Sequence, residues 1–121
     1  MADNRSEQIE ALEVLRDYNP KMVKALKEIV TEIKGERKDD TEVYLQHILK
    51  GVNWEIQVIN GTLSLINERE EHISKEKFND VIIRLNDTIT FKNDVKLADI
   101  VEADLHPFLE KLNGIIEQVL A

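Results

Sequence analysis

Apolar residues recur along nearly the whole chain at steps of three and four, which is the spacing that places them on one face of an α-helix. Glycine and proline rarely interrupt this pattern, since the 121 residues include four glycines and two prolines. The pattern therefore predicts an all-α protein with a single domain over residues 1–121. Because the polar connections are short, neighbouring helices should be antiparallel, as in an up-down-up-down four-helix bundle.

Polar breaks in the pattern delimit four helices, over about residues 6–34, 41–70 and 74–92 and from about residue 94 onwards. Gly35 follows the first helix, as glycine commonly follows a helix C-terminus. Asp39 and Glu42 have the spacing of a capping box before the second helix, and Ser74 is a typical N-cap for the third. These residues are the predicted start and stop signals of the helices.

Two prolines, Pro20 and Pro107, fall inside the first and last predicted helices. Proline cannot donate a backbone hydrogen bond, and its ring clashes with the preceding turn. The apolar spacing keeps its phase across both, which predicts kinks at Pro20 and Pro107 rather than helix ends. If either proline instead breaks its helix, the chain forms about five or six shorter helices.

The second helix is apolar on two opposite sides. One side carries the expected core stripe: Leu45, Ile48, Leu49, Val52, Ile56, Ile59, Leu63 and Ile66. The other side carries a second stripe at steps of three and four: Tyr44, His47, Gly51, Trp54, Val58, Gly61 and Leu65. Between Val43 and Asn67 the only formal charges are Lys50 and Glu55. A helix that is apolar on both sides is either central in its own bundle or covered by a partner.

Two interpretations of the second stripe are open. In the first, the helix is central and the stripe is internal packing between helices of the same chain. In the second, the stripe binds a protein partner, or a second copy of the chain in a homodimer, through Tyr44, His47, Gly51, Trp54, Val58 and Leu65. Tyrosine and tryptophan are enriched as interface anchors, and glycine lets another backbone approach. The exposure of Trp54 discriminates between the two interpretations.

Composition narrows the classes of function. With 24 acidic and 16 basic residues the formal net charge is -8, which disfavours nucleic-acid phosphate as a ligand. The absence of cysteine excludes disulfides, thiolate catalysis and cysteine-ligated zinc. The sequence begins with charged residues and no run approaches about 18 apolar residues, so we expect no signal peptide and no membrane span, and hence a cytoplasmic protein.

No catalytic or metal-binding motif is evident in the sequence. A di-iron bundle requires Glu three residues before His, and the residues at that position are Tyr44, Arg69 and Ala103. The sequence also contains no glycine-rich phosphate loop, nucleophile elbow or HExxH zinc motif. We therefore expect a non-enzymatic protein without a metal or an organic cofactor.

One short motif resembles a phosphotransfer site. His47-Ile48-Leu49-Lys50-Gly51 is similar to the His-x-Leu-Lys-Gly signature of histidine phosphotransfer domains, which are four-helix bundles of similar length. The resemblance implies that His47 accepts a phosphoryl group, that Lys50 neutralises it and that Gly51 leaves room for a receiver protein. Neutral imidazole is a competent nucleophile near neutral pH. A surface histidine with an ordinary lysine neighbour would explain the same five residues.

The segment 92–112, KNDVKLADIVEADLHPFLEKL, resembles segments of small uncharacterised all-helical cytoplasmic proteins of Gram-positive bacteria. This resemblance implies a bacterial helical bundle and assigns no functional residue. The sequence therefore predicts a non-catalytic helical bundle, adaptor-like or chaperone-like, that acts through protein–protein contact. The alternative is a histidine phosphotransfer protein in which His47 is the phosphoacceptor.

Overall fold

Four helices form the fold in the computed structural model, which describes residues 4–90 and 92–121. They are α1 (Asn4–Lys34), α2 (Thr41–Ile66), α3 (Lys75–Thr90), and a fourth helix made of α4 (Asp94–Ile100), a π-helical turn (Val101–Leu105) and α5 (His106–Leu120). Helix α1 packs against α2 and against the fourth helix, and α3 packs against the fourth helix. The predicted all-α four-helix bundle is confirmed.

The core lies where the apolar stripes of the four helices meet. In α1 the apolar residues at this spacing are buried: Leu12, Leu15, Met22, Leu26, Ile29 and Ile33. The fourth helix contributes its own buried stripe: Leu97, Val101, Leu105, Leu109, Leu112 and Ile116. Because these residues recur at steps of three and four, each helix presents one continuous apolar face to the centre.

Neither proline ends its helix. Helix α1 continues through Pro20 over 31 residues, so a break at this position is excluded. Pro107 follows a π-helical turn, in which the backbone N–H of His106 donates to the carbonyl of Val101, five residues back. This wider turn gives a physical reason for the continuity, because Pro107 has no N–H for the carbonyl of Ala103 and its ring needs extra room there. The kinks themselves remain a prediction.

The helix ends agree with the sequence in part. Ser74 and Asn93 accept hydrogen bonds from the backbone N–H groups of Lys77 and Lys96, at 3.4 and 3.1 Å. The expected capping box of Asp39 and Glu42 is wrong. Instead, the Thr41 hydroxyl accepts from the backbone N–H of Lys38 and donates to Glu32, both at 2.8 Å. This pair of bonds ties the start of α2 to the last turns of α1.

Helix α2 ends at Ile66, four residues earlier than predicted. The side chain of the next residue, Asn67, accepts from the backbone N–H groups of His72 and Ile73, at 3.0 and 3.1 Å, and donates to the carbonyl of Ile73. An asparagine side chain readily replaces backbone partners in this way and so competes with helix continuation. The side-chain amide of Asn67 therefore stabilises the connection between α2 and α3.

Candidate interaction surface and buried polar groups

Part of the second stripe of α2 is internal packing against α1. A Cβ at Gly51 would collide with the hydroxyl of Tyr18 and with the methyl group of Met22. The missing side chain of Gly51 therefore lets α1 approach α2 closely. Leu65 is buried in the core. These two residues contact other parts of the same chain, as the first interpretation of the stripe expects.

Tyr44 links the two helices at the edge of the stripe. Its hydroxyl donates to the Oε2 atom of Glu28 in α1 at 2.8 Å. Burial, together with the hydrogen bond to Glu28 and the negative charges of Glu28 and Glu32, raises the pKa of Tyr44 to about 12. The phenol therefore stays protonated and keeps donating over the physiological pH range.

Trp54 remains at the surface, with 37% of its area exposed. Its ring stands edge-on to the ring of Tyr18, with centroids 5.2 Å apart and an interplanar angle of 75°. This is a favourable aromatic geometry, and it favours this orientation of the indole. His47 is exposed and Val58 is half-buried on the same helix. The centre of the second stripe is thus open to solvent along the line where α1 and α2 meet.

Three further side chains, which do not belong to the predicted second stripe, extend this open region. Tyr18 flanks Trp54, and the exposed Val14 lies one turn before Tyr18 on α1. The exposed Val43 lies one turn before His47 on α2. Together they form what we call the seam surface: Val14, Tyr18, Val43, His47, Trp54 and Val58. The sequence contains a signal for Val43, which lies four residues before His47, whereas Val14 and Tyr18 belong to α1 and the pattern of α2 does not indicate them.

The exposed face of α2 is almost uncharged. Glu55, one of the two charges between Val43 and Asn67, is buried, which leaves Lys50 as the single exposed charge in that segment. The whole chain is 33% charged. Depletion of charge around aromatic side chains distinguishes the centre of an interface from ordinary surface. On the α2 side of the seam surface, low charge therefore coincides with the exposed ring of Trp54.

The residues of the phosphotransfer motif are only partly brought together as that motif requires. His47 and Lys50 are both exposed and lie within one turn of each other on α2. The space beside Gly51, by contrast, is occupied by Tyr18 and Met22 rather than left open for another protein. The structure thus makes His47 accessible and gives Gly51 a role in packing.

Glu55, one of the two formal charges of α2 between Val43 and Asn67, is a buried carboxyl group. It is 1% exposed, and neither carboxyl oxygen has a hydrogen-bond partner. Burial raises the pKa of Glu55 to about 8, so the group is largely neutral near neutral pH. The sequence did indicate this burial, because Glu55 lies three residues after Val52 and four before Ile59, both on the core stripe.

A second buried polar side chain, Asn19, connects α1 to α5. Its Nδ2 atom donates to the carbonyl of Leu109 at 2.7 Å and to the Oδ1 atom of Asn113 at 3.0 Å. Asn113 in turn donates to the carbonyl of Arg16 at 3.3 Å. The Oδ1 atom of Asn19 has no partner. Asn19 occupies a core position of the α1 stripe, so its amide takes the place of an apolar side chain.

Two negative findings concern the described part of the chain. Within it, no group of three or more His, Asp or Glu side chains is arranged to hold a metal ion. No helix in residues 4–90 or 92–121 combines the length and the apolar character needed to cross a bilayer.

The chain resembles a known protein family. The profile of a protein family described as a domain of unknown function (DUF8042) matches residues 10–115. No curated protein and no solved structure matches the chain. The matched segment includes most of α1, all of α2, α3 and α4, and the greater part of α5.

Proposed function

We propose that this chain, which belongs to the DUF8042 family, is a non-catalytic helical-bundle protein that binds another protein through the seam surface. The observation that carries the proposal is the position of Trp54. Trp54 belongs to an apolar stripe, yet 37% of its area is exposed. This exposed aromatic surface is available for a partner to cover.

The surroundings of Trp54 support this role. Tryptophan and tyrosine contribute most to binding when their side chains are ordered before the partner arrives, because less conformational entropy is then lost. The edge-on contact with Tyr18 supplies that order. Gly51 and Leu65 belong to the internal packing, so we leave them out of the contact set and place Tyr44 at its edge.

Photo-cross-linking tests the proposal. With p-benzoylphenylalanine in place of the exposed His47, ultraviolet irradiation of cells that naturally make the protein should give one discrete adduct with a protein. The Trp54→Ala substitution in the same chain should reduce the yield about tenfold or more, because loss of a central aromatic anchor commonly costs at least about 2 kcal/mol of binding free energy. The yield is read on a denaturing gel.

The control places the same photoreactive group at Val95, which is exposed on α4 and outside the seam surface. Equal adduct yields at the two positions, or an adduct at position 47 that persists in Trp54→Ala, would contradict the proposal. Thermal unfolding of both variants shows whether a lost adduct reflects a lost contact or a lost fold.

Phosphotransfer through His47 is a second candidate, favoured by the exposure of both His47 and Lys50 on one face. With phosphoramidate as a small phosphoryl donor, we expect a phosphohistidine signal in ³¹P NMR that is absent from His47→Gln. Lys50→Ala should shorten the lifetime of that signal, because the ammonium group offsets the phosphoryl charge. Labelling that Lys50→Ala leaves unchanged would indicate an ordinary surface histidine.

Gram-positive origin and a cytoplasmic location remain predictions from the sequence.

A further inference from the structure

Exposed charges beside the seam surface separate by sign on the two sides of Trp54. Within eight residues of Tyr18 toward the start of α1 lie three exposed acidic residues: Glu10, Glu13 and Asp17. In the other direction along α1 lie the exposed Lys21 and Lys24, followed by the exposed Glu28, whose carboxylate accepts a hydrogen bond from Tyr44. The contact between Trp54 and Tyr18 therefore marks the boundary between an acidic half and a basic half.

Lys50 on α2 belongs to the basic half. Helices α1 and α2 are antiparallel, and Trp54 packs on Tyr18 while Gly51 faces Tyr18 and Met22. Lys50, next to Gly51, therefore lies near the level of Met22, on the same side of Trp54 as Lys21. Three positive charges thus lie on one side of Trp54, with the hydrogen-bonded Glu28 beyond them, and three negative charges lie on the other side.

These charges are little used within the chain. Among the ion pairs formed by the described residues, Asp17 has a contact with Arg16 at 3.8 Å, and the other five charges have none. The lysines and carboxylates around Trp54 consequently keep most of their potential for a contact with another molecule.

An isologous two-fold contact places each half of a surface against the opposite half of its copy. Here a two-fold axis close to Trp54, perpendicular to α1 and α2, would bring Lys21, Lys24 and Lys50 of one copy over the acidic half of the other. A surface with a single sign of charge would call for a partner of the opposite sign. A surface that changes sign at its aromatic centre is complementary to itself.

We propose that the partner of the seam surface is a second copy of this chain, in an antiparallel two-fold dimer centred on Trp54 and Tyr18. This inference rests on the proposed function and names its partner. The aromatic residues and Val58 supply the apolar centre of the contact, and the two symmetry-related sets of ion pairs fix its direction.

Charge reversal on each half tests the inference by sedimentation velocity. The double variant Lys21→Glu/Lys24→Glu should raise the dimer dissociation constant about tenfold or more, and so should Glu13→Lys/Asp17→Lys, because like charges then face each other twice in every dimer. An equimolar mixture of the two variants should form a heterodimer with an affinity within about threefold of the original. If the mixture regains this affinity, misfolding is excluded as the reason why each variant alone dimerises weakly.

The control matched to Lys21→Glu/Lys24→Glu is Lys75→Glu/Lys77→Glu, which makes the same change in net charge on α3, away from Trp54. It should leave the dissociation constant unchanged. Equal weakening by this control, or a dimer that neither reversal on α1 affects, would overturn the inference.

The two proposals fail in different ways. A chain that stays monomeric up to about 100 μM, while the cross-link at position 47 joins it to a different protein, would overturn the dimer and leave the proposed function in place. An adduct at twice the mass of the chain supports both. A monomeric chain without an adduct contradicts both.

Discussion

Replacing Glu55 with methionine should raise the free energy of unfolding at about pH 9 by on the order of 4 kcal/mol. The carboxyl group is 1% exposed and without hydrogen-bond partners, so ionisation in the folded protein leaves a charge that nothing compensates. Methionine has similar length and no group that ionises. Urea denaturation followed by circular dichroism measures the difference.

The pH dependence of the wild-type protein follows from the same group. The pKa of Glu55 is about 8 in the folded chain, against 4.5 for an ordinary glutamate. Between these values the folded protein holds a proton that the unfolded chain has released, so stability falls as pH rises. The stability that the folded protein retains by keeping Glu55 protonated is fully present below about pH 4.5. It is lost progressively as the pH rises to about 8, and it is absent above that pH.

Two variants serve as controls for Glu55. Glu55→Gln should abolish the decline in stability across this pH range while gaining less stability than Glu55→Met, because a buried amide also lacks partners. Glu42→Gln, at an exposed position on the same helix, should leave the decline unchanged. A wild-type stability that is constant between about pH 5 and 8 would show that Glu55 is ionised throughout or reaches solvent.

Truncating Leu112 to alanine should lower the free energy of unfolding by about 2–5 kcal/mol. Leu112 lies on α5 in the centre of the core and is 0% exposed. The substitution removes apolar contacts and leaves a cavity that the neighbouring helices fill incompletely. Urea denaturation at a fixed pH below about 4.5 keeps Glu55 protonated in both states and isolates this effect.

The comparison for Leu112 is Ile83→Ala on α3, where the isoleucine is 60% exposed. This substitution should change stability by less than about 0.5 kcal/mol. If the two variants lost equal stability, the burial of Leu112 would not be the source of its contribution. A change in the slope of unfolding free energy against urea would point to an altered unfolded or folded state instead.

The fold could be predicted because the periodicity of apolar residues reports directly on which face of each helix is buried. The positions of the helix ends were harder to predict, because each is set by the hydrogen bonds of one or two side chains. Ser74 and Asn93 cap helices as their residue types favour, whereas Thr41 replaced the expected pair of Asp39 and Glu42 through contacts with α1. Such contacts join residues distant in sequence, and the local pattern does not contain them.

The candidate surface was harder to predict, since one stripe of α2 serves two purposes. The same spacing places Gly51 against α1 and leaves Trp54 exposed. Which of the two residues α1 covers depends on how α1 packs on α2, and the spacing within α2 does not show this. Glu55 was missed for a different reason, because charge alone suggested an exposed position although its spacing placed it on the core stripe.

The hydrogen bonds of Asn19 have a consequence for how the helices align along their length. Apolar stripes repeat at every turn, so sliding α1 by one turn along α5, about 5.4 Å, would restore similar contacts between aliphatic side chains. The amide of Asn19 meets the carbonyl of Leu109 and the side chain of Asn113 at one alignment only. A slide would leave these polar groups buried without partners, at about 1–3 kcal/mol for each. One asparagine thus makes a single alignment of the bundle more stable than its near-equivalents.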